Sequence, residues 1–164
     1  MTARIRDKHD GAPAMQGGVR VWLRLLSCSM IVEKRLRRRF IEQYDTTLPR
    51  FDVLAALERR PDGLTMGELS RALLVSNGNV TALVRQLEAQ GHVASRLAPG
   101  DRRSSIVALT RQGRVHFAEL ADAHHAWITG MLAGMGHEDQ AALYSLLATF
   151  KASIAAEGQD EDME

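Results

Sequence analysis

The chain has 164 residues, 45% of them hydrophobic and 25% charged, which is enough to bury one core, too short for a typical two-domain enzyme, and neither disordered throughout nor fibrous. Aromatic residues make up only 5% while Ala and Leu are plentiful, which weighs against an all-β fold and for a helical one. The net charge of +1 argues against a nucleic-acid partner until it is divided: residues 1–48 carry +5, residues 49–111 carry +3 and residues 112–164 carry −7, and a segregated basic surface is the electrostatic footprint of nucleic-acid binding. The same division also fits a soluble protein whose acid is concentrated in the tail from Glu157 to Glu164.

Residues 1–18 are polar and include Gly11, Pro13, Gly17 and Gly18, so a flexible arm is expected there. Arg4, Arg6, Asp7, Lys8 and Asp10 stand where a secretion signal requires an apolar run, and no stretch approaches the roughly 20 apolar residues of a membrane span. A cytoplasmic protein with no membrane partner is expected. The lone Cys28 excludes an intrachain disulfide and a thiolate-rich zinc site, and fits a reducing compartment. From Val19 to about Tyr44 there is no Pro or Gly, and Trp22, Leu25, Ser29, Val32, Leu36 and Phe40 recur at three- and four-residue steps, predicting one long helix. Asp45-Thr46-Thr47 breaks it. Thr47 then caps a short second helix marked by Phe51, Leu54 and Leu57, in whose first turn Pro49 is tolerated.

Thr65 and Glu68 have capping-box spacing and open a third helix through about Leu73. Leu74 and Val75 make a turn, Ser76 is predicted to cap a fourth helix from Asn77 to Gln90, and Gly91 stops it. The segments His92 to Leu97 and Ser104 to Leu109 read as two strands of a hairpin, with Ala98 to Arg103 as a tip carrying three charges. Thr110 caps a fifth helix bearing Val115, Leu120, His124, Trp127, Ile128 and Met131. After an interruption at Gly134 to His137, a sixth runs from about Glu138 with Leu143, Leu146, Leu147, Phe150 and Ile154. The fold class is therefore mainly α with a small β wing: six helices, of which the third and fourth form a helix-turn-helix.

In the fourth helix Val80, Leu83, Val84 and Leu87 mark the inner face, leaving Asn77, Gly78, Asn79, Thr81, Ala82 and Arg85 outside. That surface is small, polar and free of acid, as a major groove requires: Asn pairs bidentately with adenine and Thr meets a thymine methyl, while amides at the helix start beside Ser76 suit a phosphate. An ordinary surface helix would look similar. A hairpin that follows at once and carries Arg102 and Arg103, with Asp101 to hold one guanidinium, adds a minor-groove contact and makes duplex DNA the expected partner.

Together these features resemble the MarR family of bacterial winged helix-turn-helix regulators, from Val19 to Ile154. The stretches that carry the resemblance are Leu48-Pro49-Arg50-Phe51-Asp52-Val53-Leu54, then Ser76-Asn77-Gly78-Asn79-Val80-Thr81 with Leu87-Glu88 and Gly91, and Asp101-Arg102-Arg103-Ser104 with Leu109-Thr110 and Gly113. The resemblance implies a homodimer repressing transcription from a palindromic operator, with Asn77, Asn79 and Thr81 on the recognition helix and Arg103, with Asp101, on the minor-groove wing. The chain departs from the pattern at Ala82, where many members have an arginine, and at Arg85, where many have an acid. The organisation it implies is an arm at 1–18, a dimerisation and effector-binding helix at 19–46, the winged domain at 47–110, dimerisation helices at 111–156 and an acidic tail at 157–164.

The resemblance also implies a ligand pocket between the first, second and fifth helices and the DNA-binding lobe, for which Trp22, Ser29, Tyr44, Phe51 and His116 are candidates, although aromatics at helical spacing are more often simple core. Lys34-Arg35-Leu36-Arg37-Arg38-Arg39 puts five cations in six positions, and like charges at i,i+4 repel unless an anion lies near. Arg35, Arg38 and Arg39 are thus candidates for an anionic effector, with a solvated face as the alternative. Leu48 to Asp52 with Gly78 to Thr81 resembles the branch that senses aromatic acids or coenzyme A thioesters such as hydroxycinnamoyl-CoA, in which guanidiniums would pair with the phosphates.

Two further sensor readings use Cys28 as a redox thiol or the histidines as metal ligands. Ser27 and Ser29 supply no positive charge to activate the thiol, and His124 and His125, adjacent on a helix, point apart and are expected at the surface. A winged module for protein contacts alone is the other class. An enzyme is not expected, since the sequence has no glycine-rich phosphate loop, H-E-x-x-H or nucleophile elbow, and no cofactor is predicted.

Overall fold

The computed structural model describes residues 17–98 and 101–161, with side chains for all of these except 77, 98, 101–104 and 158–161. Most of the predicted arm, the Pro99-Gly100 tip and the last three residues of the acidic tail lie outside the described residues. Six helices and a three-stranded antiparallel sheet follow in the order α1 (Gly17–Tyr44), α2 (Leu48–Glu58), β1 (Leu64–Thr65), α3 (Met66–Leu73), α4 (Asn77–Ala89), β2 (Val93–Ala98), β3 (Asp101–Leu109), α5 (Arg111–Leu132) and α6 (His137–Glu161).

Helix α1 starts two residues earlier than expected, at Gly17, taking Gly17 and Gly18 out of the predicted arm. Only Leu36 and Phe40 in its C-terminal half are buried; Trp22 is 51% exposed and Met30 63%. It ends where Asp45 takes a left-handed φ of 46° and the Thr46 amide donates back to the Phe40 carbonyl at 3.3 Å. The Thr47 hydroxyl then accepts from the Arg50 amide, capping α2 as predicted. Phe51, Val53, Leu54 and Leu57 of α2 are buried. Among the described residues nine large side chains are fully enclosed: Phe40, Val53, Leu54, Leu57, Leu69, Val80, Leu87, Val107 and Leu120. They draw on α1 to α5 and β3, so one core holds the helix-turn-helix against the wing.

The capping box of α3 is complete: the Glu68 amide donates to Thr65 Oγ1 at 3.3 Å and the Thr65 amide to Glu68 Oε2 at 2.8 Å. These bonds hold the Glu68 carboxyl below its ordinary value. Leu74 turns left-handed with φ 54° and separates α3 from α4. Ser76 occupies the N-cap position of α4 but, contrary to expectation, its side chain makes no capping hydrogen bond; its carbonyl accepts the Val80 amide at 3.2 Å. At the other end Gly91, φ 74°, lets its own amide reach Glu88 and that of His92 reach Leu87, both at 2.9 Å, a Schellman-type stop.

The hairpin differs from expectation in two ways. A third strand, β1, pairs Leu64 with Val107 and Thr65 with Ile106 on the outer edge of β3; two residues give no periodicity to read in the sequence. Moreover, β3 begins at Asp101, so Asp101-Arg102-Arg103 belong to a strand and not to the tip: an irregularity between Leu97 and Ala98 shifts the register so that Ala98 faces Asp101.

The Thr110 hydroxyl caps α5, accepting from the Gly113 amide at 2.9 Å and donating to the Gly91 carbonyl at 2.7 Å. Gly113 is required by close approach, because a Cβ there would lie 1.8 Å from the His92 carbonyl oxygen. Val115, expected on the inner stripe, is 59% exposed; the buried phase of α5 runs through Gly113 and Leu120, two turns apart, and Val115 falls off it. By compactness the chain divides into a unit ending at His124 and a second from His125. In the second, the Gln140 amide group donates to the Leu132 and Met135 carbonyls at the turn before α6. Helix α6 continues to Glu161, into the predicted tail, since no proline or tight stop intervenes. Its Tyr144 is 78% exposed and its Leu146 68%, with Leu143, Leu147, Phe150 and Ile154 also exposed.

Candidate nucleic-acid interface

Helix α4 is positioned from beneath: Val80, Val84 and Leu87 are buried against the core and Leu83 is half-buried. Outward face Ser76, Gly78, Asn79, Ala82 and Arg85, all exposed, with Thr81 half-buried at the margin. The side chains of Asn77, Asp101, Arg102 and Arg103 lie outside the described residues; the backbone puts Asn77 in the first turn of α4 and the other three at the start of β3. Sequence reading missed one contact across this unit. Arg50, at the start of α2, donates through Nε (3.1 Å) and Nη2 (2.9 Å) to Gln86 Oε1 on α4. Nothing in the spacing of two residues 36 apart signals it.

The candidate effector residues are distributed. Trp22 and Ser29 are exposed on α1, where the Ser29 hydroxyl donates to the Leu25 carbonyl at 3.0 Å; Cys28 beside it is also exposed. Arg35 and Arg38 are exposed, Arg38 pairing with Glu42 at 3.7 Å, while Arg39 and Tyr44 are half-buried. Phe51 is 7% exposed inside an aromatic cluster, its ring centroid 4.9 Å from Phe40, 5.7 Å from Phe117 and 4.8 Å from His124. His124 therefore packs in this stack and not at the surface as expected, because α5 turns it onto Phe40 and Phe51 while His125 stays exposed. Among the described residues no group of three His, Cys, Asp or Glu is placed to hold a metal ion.

His116 stacks on His92, centroids 4.2 Å apart, at the edge of a shallow cavity of about 570 Å³ that also includes Arg111 and Glu119. Burial, and secondarily His116, push the His92 pKa down, and its buried Nδ1 has no hydrogen-bond partner. A larger cavity of about 680 Å³ lies between α1, α2, α3 and α4, lined by Arg37, Asp52, Arg59 and Arg71 among others, and by none of the candidate effector residues. Asp52 is exposed at the mouth of this cavity, and partial desolvation by the wall raises its pKa, Arg37 opposing and Glu33 reinforcing the shift. An acid between the buried Phe51 and Val53 of α2 was the signal in the sequence for a carboxylate at this wall.

The family model described as MarR family matches residues 44–104, from the end of α1 through the helix-turn-helix and β2 to the start of β3. The transcriptional activatory protein BadR of Rhodopseudomonas palustris is 36% identical over 118 residues, 70% of this chain and 67% of BadR. The crystal structure of a MarR family transcriptional regulator from Silicibacter pomeroyi superposes with a TM-score of 0.71 at 31% identity, covering 84% of this chain and 94% of that one. Sco3205 of Streptomyces coelicolor, a MarR family regulator solved in complex with DNA, shares the fold with a TM-score of 0.74 at 19% identity, over 85% and 93% of the two chains. With this fold, and with relatives that are transcriptional regulators and not enzymes, the chain belongs to the MarR family of winged-helix transcriptional regulators.

Proposed function

We propose that the protein is a homodimeric DNA-binding repressor that leaves a palindromic operator when it binds an aromatic acid or an aryl-CoA thioester. The observation that carries the DNA reading is the outward face of α4, where exposed Gly78, Asn79, Ala82 and Arg85 form a small, acid-free surface over a helix buried through Val80, Val84 and Leu87. Asn77, Asn79, Thr81 and Arg85 read base edges in the major groove, the uncapped amides beside Ser76 meet a phosphate, and Arg102 and Arg103, with Asp101, enter the minor groove from the wing. The DNA complex of Sco3205 supports this use of the shared fold. The homodimer reading is supported by the exposed apolar residues of α1, such as Trp22 and Met30, and separately by those of α6. Two recognition helices then meet successive major grooves about 10 bp apart.

For the effector, the support is charge. Lys34, Arg35, Arg37 and Arg38 are exposed along α1, and Arg37 reaches the wall of the 680 Å³ cavity, where an aryl carboxylate has room beside Arg59 and Arg71. Arg35, Arg38 and Arg39 extend the cationic surface for the coenzyme A phosphates; Trp22, Ser29, Tyr44, Phe51 and His116 line no part of that cavity and are not the neighbours of an aryl group seated in it. Repression follows where the operator overlaps a promoter; the naming of BadR as an activatory protein fits the same bound state placed upstream. The test is a duplex selected by the protein from a random-sequence pool, titrated in the complex with 4-coumarate, 4-coumaroyl-CoA and coenzyme A alone. Release by the acid or its thioester and not by coenzyme A is expected; unchanged binding at saturating concentrations of both refutes the effector. Arg103→Ala is expected to weaken binding and flatten its salt dependence; unchanged values would refute the wing as a DNA reader, whereas a module used only for protein contacts would show no steep salt-sensitive affinity for duplex DNA in the wild type.

A further inference from the structure

Arg50 is the third residue of α2 and its backbone is anchored, its amide donating to the capping hydroxyl of Thr47. Its side chain leaves α2 and crosses to α4, where Nε and Nη2 converge on Gln86 Oε1 at 3.1 and 2.9 Å. This arrangement uses one edge of the guanidinium; the opposite edge, formed by Nη1 and the outer Nη2 hydrogen, donates to no described residue. Arg50 also has no ion-pair partner among the described residues. A half-buried cation clamped by a neutral amide gives up rotamer freedom. Held this way, however, the outer fork is preorganised for a bidentate anion such as a phosphodiester.

The place of the fork identifies that anion. At 100° per residue, Gln86 stands on α4 within about 20° of Asn79 and about 40° of Ala82, so Arg50 flanks the outward face. Ala82 is exposed and ends at Cβ. The one acid of α4, Glu88, is engaged elsewhere, accepting from the Ser95 hydroxyl. Where this chain has no cation at position 82, a cation from the neighbouring helix arrives beside it.

We propose that Arg50, clamped by Gln86, grips a DNA phosphate on the flank of α4, extending the DNA-binding surface onto the start of α2. The proposal rests on α4 being the recognition helix. A phosphate contact carries no base preference but sets salt dependence, so the experiment measures dissociation constants against salt concentration, on the selected duplex and on a scrambled duplex. It uses the wild type, Arg50→Ala, Arg50→Lys and Gln86→Ala. R50A is expected to weaken binding about tenfold on both duplexes and to reduce the log–log salt slope by about one per protomer; R50K keeps the slope, and Q86A weakens binding less while keeping it. If R50A does not fold, R50K and Q86A carry the test: equal losses in both, with R50K no better than Q86A, overturn the phosphate contact in favour of a brace. A wild-type slope retained by folded R50A overturns it too. Salt-insensitive binding of the wild type to every duplex overturns the recognition-helix reading itself, and is distinguished because it needs no variant.

Discussion

Gly113→Ala tests the junction between the wing and α5. A Cβ built on Gly113 lies 1.8 Å from the His92 carbonyl oxygen and 2.8 Å from the carbonyl carbon. Both are backbone atoms and cannot swing aside, so the start of α5 has to move by more than about 1 Å, an overpacking cost of about 1–3 kcal/mol. The movement also strains the bonds that fasten this junction: the Thr110 amide to His92 at 3.0 Å and the Thr110 hydroxyl to Gly91 at 2.7 Å. Weakening one of these adds about 1 kcal/mol. Alanine recovers about 1 kcal/mol of helix propensity over glycine, so the expected net loss is about 1–3 kcal/mol. For a chain of this size that lowers Tm by roughly 2–12 °C. Thermal and urea denaturation at one fixed protein concentration is the assay, because an oligomer's Tm depends on concentration. A loss under about 0.5 kcal/mol, or a gain, would refute the claim that close approach of α5 to His92 dictates glycine.

Asp52→Asn should raise Tm at neutral pH. Burial lifts the folded-state pKa of Asp52 above its ordinary 3.8, so the folded chain holds its proton more tightly than the unfolded chain and loses stability as pH rises through the folded value; the advantage of Asn should vanish below pH 3.8, and a neutral-pH Tm unchanged or lowered would count against a desolvated carboxylate. His92 gives the opposite sign. Its folded-state pKa is pushed below 6.5, mainly by burial, so its contribution is present above pH 6.5 and is lost as pH falls through the folded value. His92→Gln should flatten the Tm profile on that acid side, and a slope identical to wild type refutes the assignment.

The sequence alone determined much of this molecule wherever the physics is local. The cap of α2 at Thr47, the Thr65–Glu68 box and the glycine stop at Gly91 are bonds among residues a few positions apart, and all form as read. So are the inner residues Val80, Val84 and Leu87, because helix period alone assigns them a face. Tertiary structure decided what depends on residues distant in the chain. Ser76 has the right type and spacing for a cap, yet its side chain does not cap α4. The two-residue β1 exists only because β3 offers it an edge, and the Ala98 register shift drew Asp101-Arg102-Arg103 into a strand. His124 became part of the Phe40–Phe51 stack only when α5 was laid across it. Likewise, a run of arginines on α1 declares its charge in the sequence, but Arg37 facing a cavity with Asp52 and Arg50 reaching Gln86 are meetings of separate helices. Composition and periodicity carry no record of such meetings, since they arise from how amphipathic faces are stacked and not from the residues between them.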